Sequence, residues 1–146
     1  MAEYTSEIKI IPYQNKDVFA VLSDLNNLEL AKDKIPQDKI KGFSFDKDSC
    51  TVTVDPIGQV RFLVVEREPD KTIKFQAEQL PFDVKMWIQL LPDSEGNSRM
   101  KLTIQADLNP FLKPMVSKPL QTGIDKVVEV LAALPYREIL NNRTEE

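Results

Sequence analysis

Residues 109–134 read NPFLKPMVSKPLQTGIDKVVEVLAAL, and this stretch decides the fold. Val116, Leu120, Ile124, Val127, Leu131 and Leu134 recur at steps of three and four, which aligns them on one stripe of a helix. Lys118, Gln121, Thr122, Asp125, Lys126 and Glu129 fall away from that stripe. Asn109 is placed to cap a helix over 110–134, with Pro110 as its first residue and Pro135 as its stop. Pro114 and Pro119 each remove a backbone donor and crowd a carbonyl one turn back, so bends are expected there. A helix with one apolar stripe must bury it against another layer.

That layer is written upstream in period two. Strands are expected at 39–46, 50–55, 59–68, 71–79, 82–91 and 99–108, separated by turn residues such as Lys47-Asp48, Pro69-Asp70 and the loop PDSEGNS at 92–98. Before them, 5–11 (TSEIKII) reads as a first strand closed by Pro12. Helices are expected at 15–25, capped by Asn15, and at 28–34, stopped by Pro36. Residues 136–146 read as a frayed tail. Short connections make consecutive strands antiparallel. The expected fold class is therefore α+β: a curved seven-stranded antiparallel sheet, two short helices after the first strand, and a long C-terminal helix across the concave face. At 146 residues, one domain spanning 1–146 is expected.

Composition narrows the function. Apolar residues make up 42% and charged residues 29%, an ordinary balance for a globular chain. With 19 basic and 23 acidic residues, the net charge of −4 argues against a nucleic-acid partner. The N-terminus has no apolar signal region and no run is long enough to span a bilayer, so no integral membrane segment and a cytoplasmic location are expected. Cys50 is the single cysteine, which rules out an intramolecular disulfide. The sequence has no histidine. Ser-His-Asp and Cys-His sites are thereby excluded, and so is a histidine-based zinc site. No metal site, cofactor or catalytic residue is expected.

The alternation also assigns faces. Val60, Phe62 and Val64, then Ile73, Phe75 and Ala77, then Val84, Met86, Ile88 and Leu90, then Met100, Leu102, Ile104 and Ala106 share the expected concave side. Opposite them stands the helix stripe. These side chains either interlock as a core or leave a hollow for an apolar guest. If a guest sits there, its expected wall is Phe62, Val64, Phe75, Met86, Ile88, Leu102, Ile104, Leu120, Ile124 and Val127. Glu66 falls on the inward parity and is the carboxylate best placed to act as an acid or base. Arg61, Arg67 and Arg99 are expected on the convex face or in loops. Tyr13 and Tyr136 are candidates for hydroxyls at a cavity mouth, or for plain apolar packing. Trp87, Leu63, Val65 and Leu91 point outward by the same register and raise the possibility of a homodimer, although Lys74 and Gln76 divide them.

The element order resembles the helix-grip fold of the START-like superfamily, which includes lipid-transfer domains, the birch-pollen-allergen family and polyketide cyclase-like proteins. The opening IKIIPYQNKDVFAVLSDLNNL (8–28) and the closing KLTIQADLNPFLKPMVSKPLQTGIDKVVEVLAAL (101–134) carry the likeness, which covers nearly the whole chain. With four glycines, the chain lacks the Gly-rich loop of the pollen-allergen branch. It looks closer to cyclase-like or coenzyme-Q-binding-like members. The resemblance implies binding of a small hydrophobic or lipid-like ligand between sheet and helix. An alternative is a cyclase or aromatase-like enzyme, and a second is a protein-interaction module without a ligand.

Overall fold

Eight strands form one antiparallel sheet in the computed structural model, which describes residues 2–30, 40–54, 57–93 and 95–144. The strands are β1 (Ala2–Thr5), β2 (Lys9–Ile11), β3 (Ile40–Phe45), β4 (Ser49–Val54), β5 (Gly58–Glu68), β6 (Thr72–Glu78), β7 (Val84–Pro92) and β8 (Ser98–Ala106). Their order is β1-β8-β7-β6-β5-β4-β3, with β2 also on β8. Six strands follow one another as a meander, and the chain's beginning closes against its last strand. The helices are α1 (Asn15–Leu22), a 3-10 helix (Leu25–Leu30), α2 (Lys113–Ala132) and α3 (Tyr136–Thr144).

Several elements differ from the sequence reading. The strand expected at 5–11 is realised only as β2 over Lys9–Ile11, and a further strand, β1, ends at Thr5, so the sheet has eight strands and not seven. Thr5 pairs with Thr103 and Lys9 with Met100, while residues 6–8 leave the ladder. Ser6 makes the break: its amide donates to the Leu102 carbonyl, and its hydroxyl accepts from the Leu102 amide at 2.8 Å. One side chain there replaces a backbone acceptor. The helix expected at 15–25 ends at Leu22, and Gln14 holds the cap position instead of Asn15. Asn15 is the first helical residue, its amide nitrogen donating to the Asp70 carbonyl at 3.3 Å. The expected helix 28–34 coincides over Leu28–Leu30 with the end of the 3-10 helix; its remaining residues lie outside those described.

α2 begins at Lys113, three residues later than expected. Asn109 does cap the approach: its Oδ1 accepts from the amides of Phe111 and Leu112, both at 2.9 Å. Pro114 therefore sits in the first turn, where a missing amide hydrogen does no harm. Pro119 lies inside the helix without ending it. The inward stripe is Val116, Leu120, Ile124, Val128 and Leu131, all buried. Each such burial contributes about 1.5–3 kcal/mol. Three contacts tie α2 to the sheet edge, one of them the Glu7 amide donating to Asp125 Oδ1 at 2.8 Å. The Tyr4 hydroxyl and Ser117 Oγ are 2.7 Å apart, and Gln121 donates to the Thr5 carbonyl at 2.9 Å.

The tail is not frayed through 136–144. Pro135 ends one helix and opens the next, its carbonyl accepting from the Ile139 amide at 3.0 Å. Tyr136 is fully buried, and its hydroxyl donates to the Leu131 carbonyl at 2.5 Å.

Candidate functional site

The faces assigned from alternation meet across the sheet. Phe62 pairs with Ala77, Phe75 with Met86, Met86 with Ile104, and Ile88 with Leu102, so these side chains form rows on one surface. α2 lies over those rows. Between them is a hollow of about 110 Å³. Nine of the ten residues expected as wall border it: Phe62, Phe75, Met86, Ile88, Leu102, Ile104, Leu120, Ile124 and Val127. Gly123 and Leu131 complete the helix side.

Val64 does not border the hollow. It is half-buried and packs on the core beside it. It stays in register on the inward row, paired with Phe75, but a β-bulge follows it: Glu66 pairs with Lys74. One extra residue in β5 reverses the alternation beyond it. Glu66 thereby joins the Lys74 and Trp87 row on the outer face and is exposed. The inward carboxylate expected at this position is not there.

The same reversal turns Arg67 inward, against the expectation of a convex or loop charge. Arg67 pairs with Ile73, a core residue. Its guanidinium donates to the Ser23 carbonyl through Nε at 3.0 Å and Nη2 at 2.8 Å, and meets Asp48 Oδ1 at 2.7 Å. It thus binds the C-terminal end of α1, where a cation is favoured, and does not border the hollow.

The sequence reading missed the other half of the wall. Leu25 and Leu28 come from the 3-10 helix, Phe43 and Phe45 from β3, and Cys50, Val52 and Val54 from β4. The rings of Phe43 and Phe45 stack with centroids 6.2 Å apart. A signal existed, since Cys50, Val52 and Val54 alternate with threonines. The wrapping of β3 and β4 around α2 is a matter of sheet curvature, which alternation does not encode.

Among the described residues the wall carries no charged or amide side chain, and its one ionisable group there is the Cys50 thiol. Burial pushes that thiol up to about 12, and the negative charge of Asp46 adds to the shift. It is protonated at neutral pH and is a poor nucleophile. Tyr13 and Tyr136 pack against each other with centroids 5.6 Å apart and do not border the hollow. Burial also raises the Tyr136 hydroxyl above its ordinary range. On the outer face, Lys74 Nζ lies 5.7 Å from the centre of the Trp87 ring. Val65 and Leu91 are exposed, and Leu63 is half-buried. Among the described residues no helix is long and apolar enough to cross a membrane.

A curved antiparallel sheet gripping a long C-terminal helix is the helix-grip fold of the START-like proteins, as the resemblance implied. No family model matches the sequence, and no curated protein matches it. Solved structures do. A START superfamily protein from Mycobacterium smegmatis superposes with a TM-score of 0.64 at 12% identity, over 89% of this chain and 94% of that one. Norcoclaurine synthase from Thalictrum flavum gives 0.64 at 13% identity, over 90% and 85%. TTHA0849 from Thermus thermophilus gives 0.61 at 17% identity, over 90% and 94%. At these identities the likeness concerns the fold.

Proposed function

We propose that this protein binds a small hydrophobic molecule, non-catalytically, in the hollow between the sheet and α2. The observation that carries this reading is the wall itself: a hollow bordered by aromatic and aliphatic side chains from six strands and two helices. Such a wall offers no partner to a buried polar atom, and each one left unpaired costs about 1–3 kcal/mol. The part of the guest inside is therefore hydrocarbon or aryl. A hollow of about 110 Å³ is of the order of an engineered cavity of roughly 150 Å³ that takes benzene. A single ring or a short alkyl segment fits it, and a larger guest requires α2 to move. The cyclase-like alternative is disfavoured because acid–base catalysis needs a titratable group within reach of the guest, and among the described residues the wall provides only a protonated thiol.

Native mass spectrometry of the protein purified from its own host tests the reading directly, since a retained molecule gives its mass. Benzene or indole added to the ligand-free protein is expected to raise the melting temperature, because a ligand that binds only the folded state stabilises it. Val127→Phe fills the hollow from its half-buried side and is expected to abolish that rise while the variant still melts cooperatively. No retained molecule together with no rise for the parent protein would refute the proposal.

A further inference from the structure

The approach to α2 carries an apolar tip that the hollow does not use. Phe111 is 85% exposed, more than any other large apolar residue described. Met115, one turn further on, is 53% exposed. Their neighbours Leu112 and Val116 turn the other way, half-buried and buried. Pro110 and Pro114 restrict the backbone around the tip, so the aromatic ring is held outward at little entropic cost. Neighbouring exposed apolar side chains beside polar groups are a feature of interaction sites.

Charge indicates what does. From Leu108 to Ile124 the chain has no acidic residue and two lysines, Lys113 and Lys118, although the protein as a whole is at −4. Both lysines are exposed, and among the described residues neither has a carboxylate partner. Asp107 and Asp125 are the acids adjoining this stretch, one at each end. An aromatic and a thioether flanked by lysines match the boundary of an anionic bilayer, with apolar groups in the acyl edge and ammonium groups among the headgroups. A second copy of this chain is the weaker match. A stable dimer buries roughly 800 Å² per partner, whereas an aromatic side chain supplies about 150–250 Å².

We propose that Phe111 and Met115, with Lys113 and Lys118, dock this protein reversibly on an anionic lipid surface. Two apolar side chains and two charges give a weak attachment, since stable anchoring needs more than one strong signal. Docking presents the start of α2 to the bilayer, and the same helix continues into the wall of the hollow at Leu120, Gly123 and Ile124. The contact does not depend on what the hollow holds.

The test is co-sedimentation of the full chain with vesicles of phosphatidylcholine alone and of phosphatidylcholine mixed equally with phosphatidylglycerol. Binding is expected on the anionic vesicles, weakening as salt is raised. The double variant Phe111→Ser, Met115→Ser is expected to lower the partition coefficient by at least about tenfold. Lys113→Gln and Lys118→Gln are each expected to lower it about fivefold. All four side chains are exposed, so the variants should melt as the parent does. Absence of binding to either vesicle would overturn the proposal, as would binding that the apolar double variant leaves unchanged. A dimer in lipid-free solution that the same double variant dissociates would assign the tip to a second copy and overturn it too.

Discussion

Cys50 shows how a single side chain reports on its surroundings. Its sulfur borders the hollow, and desolvation together with Asp46 raises the thiol from an ordinary 9.0 to about 12. In the unfolded chain the thiol loses its proton near 9.0. In the folded chain it keeps the proton well beyond that. The folded state thus binds more protons between the two values, and stability falls as pH rises through that window. Below about pH 9 the contribution is fully present. Urea titrations are expected to show a falling midpoint above about pH 9, and Cys50→Ala is expected to remove that part of the fall. Iodoacetamide at about pH 8 should label Cys50 only at the rate of unfolding, which mass spectrometry can follow. Rapid labelling of the native protein would contradict the buried, protonated thiol. At this scale half of the wall was legible: alternation in β5 to β8 and the α2 stripe bring nine expected residues to the hollow. Glu66 and Arg67 were not legible, because a bulge inserts a residue without changing composition or hydrophobicity. Beyond it each side chain moves to the opposite face.

At the scale of elements, α2 combines a strong periodic pattern with an internal proline. The stripe identified the helix, yet its breadth was underestimated. Val128 is fully buried beside the half-buried Val127, so the inward face spans more than a single row of side chains. Pro119 deprives the Met115 carbonyl of its usual donor. The helix continues because Val116 and Leu120 on either side of it are buried, and tertiary packing outweighs local propensity. Pro119→Ala restores the donor and is expected to stabilise the protein by about 1 kcal/mol. That figure is the interior-proline penalty of about 3 kcal/mol, reduced by structural adaptation and by the stiffer unfolded chain that proline provides. A higher urea midpoint at unchanged slope would support this; a lower one would mean that the ring packs productively. The divided first strand marks the opposite limit. TSEIKII has the composition of one strand, and the break falls where the Leu102 amide, 96 positions away, donates to the Ser6 hydroxyl.

Across the whole molecule, closure depends on the segment that composition alone marks as a loose end. The sequence YREILNNRTEE is polar and adjoins a proline, so it reads as a tail. Its anchors become apparent only in three dimensions. Tyr136 is fully buried against Tyr13, with its hydroxyl on the last turn of α2, and Ile139 is buried as well. The Ser98 hydroxyl donates to the Tyr13 carbonyl at 2.6 Å, which joins the same corner to the start of β8. α3 therefore connects the end of the long helix to α1 and to the sheet edge formed by β2 and β8. Tyr136→Ala removes a whole buried ring and is expected to cost about 3–5 kcal/mol. Tyr136→Phe keeps the ring and loses one buried hydrogen bond, for about 1 kcal/mol. Urea unfolding of both variants measures the difference. If the corner only stabilises the fold, Tyr136→Phe should leave the benzene-induced rise in melting temperature intact, because neither tyrosine borders the hollow. A loss of that rise in Tyr136→Phe would mean that the α2–α3 corner governs entry to the hollow.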